Sequence, residues 1–279
     1  MGGWVLAGIF LAVGGLLAYR FLYGKRVHGY LADTEYWIYT RDTRLPPIDK
    51  VMDRMVGANP HHRPGRPCIG AKEGMIFSDI RLDIALAKRE KNPFAFRPDL
   101  FSDDVIPTAE QLSAIADACS IIKIRYASRA PLRDDRHLQF MPHLADAMSD
   151  LTEGTAVFDR ITGQVWTASE FHDELAGNNR GSRPTLQVRV FWRCDGEVGR
   201  VKTRGLRKVG LAEIETLPLP PDQEVLATGL VMRLAHEGLR KMKLPTQMET
   251  EEYGTTFIME VEPTKGGVHK VRILRSLAT

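Results

Sequence analysis

Cysteine is scarce in this sequence, and what there is does not pair. Cys68, Cys119 and Cys194 are odd in number, widely spaced, and form no Cys-x-x-Cys motif. That excludes a disulfide framework and points to a reducing compartment, with each thiol expected as a small buried apolar group. Catalytic signatures are missing too. There is no P-loop, no G-x-G-x-x-G, no G-x-S-x-G and no H-E-x-x-H. The sequence therefore nominates no catalytic residue and implies no cofactor. Surplus charge is also missing from most of the chain. The net charge is +3, from 38 basic and 35 acidic residues, and Arg20, Lys25 and Arg26 account for all of it. The remainder is formally neutral, which argues against a nucleic-acid partner, whose binding domain would carry the surplus itself.

What the sequence does have is one long apolar run. Gly2 to Tyr19 holds eighteen residues without a charge, roughly 27 Å as a helix. Adding Phe21 to Tyr23, with Arg20 snorkelling, extends it to about 33 Å, enough for a hydrocarbon core of about 30 Å. Trp4 near one end and Tyr19 and Tyr23 near the other occupy aromatic-belt positions. A cleaved signal peptide would need a basic start and a small-x-small site. Met1-Gly2-Gly3-Trp4 lacks the first, and Arg20-Phe21-Leu22-Tyr23 stands where the second belongs. Residues 1–26 thus read as a transmembrane anchor with a basic flank. The positive-inside rule places the N-terminus outside and residues 27–279 in the cytoplasm, at a bacterial inner membrane. Gly8, Ala12 and Gly15 form a small-residue stripe suited to packing against a partner transmembrane helix or a second copy.

The rest of the chain alternates strand and helix signals. Strands are expected at 35–41, 121–127, 155–158, 164–166, 186–192, 198–203, 214–217, 256–261 and 268–273. Residues 75–87 alternate like a strand as far as Ile84. Helices are expected at 48–55, at 108–118 behind a Thr108/Gln111 capping box, at 136–151, at 169–175 and at 223–241. Several direct hairpins favour an α+β fold with a mixed, mainly antiparallel sheet and packed helices. A strand, a tyrosine, an Arg/Pro turn and a helix recur at 36–56 and 121–150. Two similar halves would fit the length, with a subdivision near 92–107.

Three clusters merit chemical weighing. His61, His62 and Cys68 have the chemistry of zinc ligands, but they sit in a proline-rich loop without a fourth ligand, so no metal site is assigned. His137 and His143 lie about 240° apart around one helix and do not converge. Asp134 or Asp135 beside His137 is better explained as a helix cap. Arg200, Lys202, Arg204, Arg207 and Lys208 form the densest basic run, and β alternation puts the first three on one face. They are the candidate anion-binding residues, for a phosphate or an anionic headgroup. The plainer reading is a charged strand that discourages aggregation.

Thr203-Arg-Gly-Leu-Arg-Lys-Val-Gly-Leu-Ala-Glu-Ile-Glu215 resembles a T-x-G-L-x-x-V-G-x-x-E-I-E pattern of uncharacterised bacterial mixed α/β domains, and the stretch ending at Phe158-Asp159 is similar as well. The resemblance implies a fold class and carries no active site. On the residues themselves, Gly205 and Gly210 should bend the chain and Ile214 should bury. The expectation is a membrane-anchored, non-enzymatic binding or scaffold protein, or an accessory subunit of a membrane assembly, with the lipid bilayer as its first partner. The alternatives are a membrane-proximal hydrolase or transferase using His137, Asp135 and the arginines at 200–208, and a sensor of anionic lipid or nucleotide.

Overall fold

The computed structural model describes residues 32–57, 80–97, 101, 105–129, 132, 134–176, 183–264 and 267–275. The anchor segment, its Gly8/Ala12/Gly15 stripe and the His61/His62/Cys68 cluster lie outside the described residues. Among the described residues, no helix is long and apolar enough to cross a membrane.

The fold is α+β, built on two sheets where the sequence suggested one. The first contains β1 (Ala32–Thr40), β2 (Ile80–Lys88), β3 (Ser120–Ser128), β4 (Gly154–Asp159) and β5 (Val165–Thr167), in the order β2-β3-β1-β4-β5 and entirely antiparallel. Helix α1 (Ile48–Gly57) follows β1, α2 (Ala109–Asp117) precedes β3, α3 (Arg136–Leu151) follows β3, and α4 (Ala168–Ala176) follows β5. The strand–tyrosine–turn–helix recurrence falls on β1–α1 and β3–α3. Each pair, with the strand after it, forms a split β-α-β unit, and the two units interlock as in ferredoxin-like sheets. The stretch 92–107 thus connects two neighbouring strands of one sheet.

Both faces of this sheet are covered. On one, Tyr36, Ile38, Ile122, Ile124 and Val157 meet Val51, Met141, Leu144, Met148 and Phe171 from α1, α3 and α4. On the other, Trp37, Tyr39, Ile121 and Phe158 meet Phe96, Phe101 and Ile115, the last from α2. Coverage on both sides explains why β1 and β3 are buried almost continuously instead of alternating. The capping box of α2 forms as expected, Thr108 Oγ1 accepting from Gln111 N and Gln111 Oε1 accepting from Thr108 N.

The second sheet contains β6 (Arg189–Asp195), β7 (Val198–Arg204), β8 (Glu213–Thr216), β9 (Gln247–Glu252), β10 (Thr255–Glu262) and β11 (Val268–Arg275), in the order β6-β7-β8-β11-β10-β9. All its neighbours are antiparallel except β8 and β11. Among the described residues one face is packed: Val201, Ile214, Met259 and Val271 lie against Leu230, Val231 and Leu234 of α6 (Glu224–Lys241). A short helical turn, α5 (Pro184–Gln187), joins the two lobes.

Three expectations are corrected. Residues 186 and 187 belong to α5, because Pro184 opens a helical turn there, and the strand begins at Arg189. Strand β9 went unread because QMETEE carries a single apolar residue. Cys119 and Cys194 are exposed free thiols, one in the turn before β3 and the other at the tip of edge strand β6. Cys68 lies outside the described residues.

Candidate functional site

The most unusual chemistry in the molecule lies between the lobes, and it begins with a proline. Pro142 sits inside α3, where it has no N–H to give the carbonyl four residues earlier. That carbonyl, Leu138 O, accepts instead from Gln187 Nε2 at 3.0 Å. The other end of the same amide, Oε1, accepts from Lys208 Nζ at 2.7 Å. The ammonium also donates to Asp159 Oδ2 at 2.5 Å, and Tyr36 OH lies at the edge of its reach at 3.5 Å. Lys208 and Asp159 are both completely enclosed.

Every partner is held by its own local structure. Asp159 ends β4, and its Oδ1 accepts from the backbone N–H groups of Ile161 and Thr162 in the turn to β5. Lys208 rides on a 3-10 turn, Leu206–Val209, which the conformations of two glycines make possible. Gly205 has φ 130°, with Gln187 O so close that a Cβ would clash, and Gly210 is left-handed with φ 80°. Glu213 ties the turn shut: its carboxylate accepts from Thr203 Oγ1 at 2.8 Å, Gly205 N at 2.9 Å and Arg207 N at 3.3 Å. Thr203 Oγ1 in turn accepts from Ile214 N at 2.8 Å, and Ile214 is buried. The threonine, glycines, glutamate and isoleucine of the sequence motif thus form one self-bracing loop. Its Lys208 meets Asp159, the residue that ends the other stretch quoted for the resemblance.

His137 completes the junction. Its ring stacks on Tyr126 at 4.5 Å, and its Nε2 lies 2.8 Å from Lys208 O. A carbonyl only accepts, so Nε2 carries the proton; Nδ1 is buried without a partner among the described residues. Burial holds this imidazole's pKa down to about 4, and the Lys208 carbonyl only partly offsets it. Burial likewise lowers the Lys208 ammonium, with Asp159 pulling the other way, and raises the Tyr36 phenol. Among the described residues neither the ammonium nor its carboxylate partner has exposed surface.

The sequence-nominated residues separate in space. Lys208 is inside the junction. Arg207 reaches across to Asp33 at 3.3 Å, beside the bidentate Arg125–Asp33 pair. Arg200 and Lys202 share Glu215, at 3.7 and 3.3 Å, and Arg200 also meets Asp195 at 3.3 Å. Arg204 covers Phe191, 5.5 Å from its ring centre. Of the residues weighed for catalysis, Asp134 accepts from Arg136 N at the start of α3, and Asp135 lines a separate cleft.

That cleft, of about 480 Å³, opens between α3, α5, α6 and β9. Arg233 on its wall is tied to Glu252 at 2.5 Å and to Thr250 at 2.9 Å, and His236 has a buried Nε2 without a partner among the described residues. A second groove, of about 290 Å³, holds Asp146, Asp150, Ser149, Ser169 and His172. There His172 Nδ1 lies 3.1 Å from Asp146, and Arg54 contacts both aspartates. Neither hollow is legible in the sequence, since their residues come from separate elements, helices and strand β9 among them, brought together only by packing. No group of three or more His, Cys, Asp and Glu residues fit to hold a metal ion occurs among the described residues. Comparison with protein-family models, with curated proteins and with solved structures returned no match for this chain.

Proposed function

We propose that this chain is a membrane-anchored, non-enzymatic binding or scaffold protein, working as an accessory subunit of a membrane assembly on the cytoplasmic face of a bacterial inner membrane. The uncharged run 2–19 and the basic residues behind it support the anchor and its orientation. The observation that carries the platform reading is the junction: Lys208, Asp159, Gln187, Tyr36 and His137 join the two lobes through fully or nearly fully buried polar contacts. Two lobes locked in this way present fixed outer faces, which suits a surface that other molecules grip. In this reading the first lobe is made of two similar β-α-β halves, and Gly8, Ala12 and Gly15 pack against a partner helix or a second copy.

The test is mild-detergent co-purification of the full chain and of a chain lacking residues 1–26. Partners retained only when the segment is present are the expected result. An unchanged partner list, or digestion of the globular part by protease added to intact spheroplasts, would overturn the proposal.

A further inference from the structure

We propose that β2 is a docking edge for a second copy of this chain, the two β2 strands pairing antiparallel about a two-fold axis and joining two five-stranded sheets into one. Among the described residues the two sheets have four outer strands, β2 and β5 in the first and β6 and β9 in the second. An outer strand leaves the backbone N–H and C=O of every second residue without a ladder partner, so proteins shorten such strands or load them with charge. Three of the four follow that rule: β5 has three residues, β6 carries Arg189, Arg193 and Asp195, and β9 carries Glu249, Glu251 and Glu252. Strand β2 does not. It runs for nine residues, IRLDIALAK, and keeps an unbroken register with β3 from Ile80 to Lys88.

The side chains of β2 say what fits beside it. Ile84 and Leu86 are half-buried against the core under α1, α3 and α4. Alternation puts Leu82 on the same face, and it is 42% exposed. Asp83, Ala85 and Ala87 take the other face. The run Leu82-Asp-Ile84-Ala-Leu86 has the same apolar pattern read in either direction. Centred on Ile84, an antiparallel copy therefore sets Ile84 opposite Ile84, Leu82 opposite Leu86 and Asp83 opposite Ala85 of the second copy. All nine residues of the strand then find a partner. The Leu–Leu and Ile–Ile pairs carry the core across the two-fold axis, and between 82 and 86 no charge faces a like charge.

Other occupants fit this edge less well. Edge strand β9, centred on Thr250 in the same way, would set Glu249 against Glu251 of its copy, so β9 is not self-compatible. The stretch that precedes β2 in sequence carries Pro60, Pro64 and Pro67 with Gly65, Gly70 and Gly74, a composition that pairs poorly as a strand. The partner that matches β2 in length, apolar spacing and charge is β2 itself.

The experiment uses the full chain in mild detergent, carrying Cys68→Ser, Cys119→Ser and Cys194→Ser and one new thiol, oxidised with copper phenanthroline. Ile84→Cys stands opposite its own counterpart, with Cα atoms about 5 Å apart, within disulfide reach, and a disulfide-linked dimer is expected. Asp83→Cys is displaced along the strand from its counterpart by more than about 7 Å and should link about ten-fold less. Adding Leu82→Lys sets an ammonium against Leu86 of the second copy. It should cut the Ile84→Cys link about ten-fold, with an unchanged melting temperature because Leu82 is already exposed in the single chain. Glu249→Gln, the same charge change on β9, should leave the link intact. Equal linking at both positions, a link that survives Leu82→Lys, or no linked dimer from Ile84→Cys would overturn the proposal. Copies held together only through residues 1–26 would link both positions alike, so the anchored reading and this one succeed or fail separately.

Discussion

The two sheets solve the same problem in opposite ways. The first is sandwiched, with helices on one face and α2 and the Pro93–Phe96 turn on the other, and its central strands are apolar nearly throughout. Among the described residues the second is open: α6 covers one face and the other carries charge, so β7, β8 and β9 alternate residue by residue. A sheet covered on both faces has buried inner strands throughout, whereas one covered on a single face keeps polar residues at every second position. The difference leaves the first lobe covered on both faces and the second with one charged face, and Lys208 carries the second into the first.

The largest expected effect lies at that crossing. Lys208→Met leaves the Asp159 carboxylate enclosed without its cation and should cost about 3–5 kcal/mol in urea unfolding. Adding Asp159→Asn should recover more than about 1 kcal/mol of that loss, because the two groups act as a pair. Equal and additive losses would show the lobes to be coupled by packing alone.

A smaller effect is expected from acid. In the unfolded chain His137 binds its proton near the ordinary value of 6.5; in the folded protein it does so only near about 4. Its contribution is fully present above pH 6.5 and declines as the pH falls toward 4, reaching a loss of about 3 kcal/mol. Comparing urea midpoints across this window for the natural chain and for His137→Gln isolates the effect, since the variant lacks that one proton. Parallel curves would mean that the junction admits water to Nδ1.

The smallest effect belongs to the open face. Lys202→Thr replaces a half-exposed cation with a good strand former and should change stability by no more than about 0.5 kcal/mol. A loss as large as that at Lys208 would mean that the face is packed against something in the folded chain, and the contrast between the sheets would fall.

Much of this architecture was legible in the residues. EYWIYT and IIKIRYA announced strands, Thr108 and Gln111 announced a helix start, and the spacing of Arg200, Lys202 and Arg204 announced a shared face. Local periodicity and capping chemistry need only neighbours in sequence. The same reading could not pair β8 with β11 in parallel or see a strand in QMETEE. Nor could it tell that Lys208, one basic residue among five, points inward. Its partners Tyr36, His137, Asp159 and Gln187 are as much as 172 residues away. Burial of a charge depends on groups that only the folded chain brings within hydrogen-bond distance. The sequence by itself determined where most of the strands and helices lie, because local periodicity and capping follow from side-chain pattern. The tertiary structure alone decided which charges meet, because an ion pair out of water persists only where packing supplies both its partner and its enclosure.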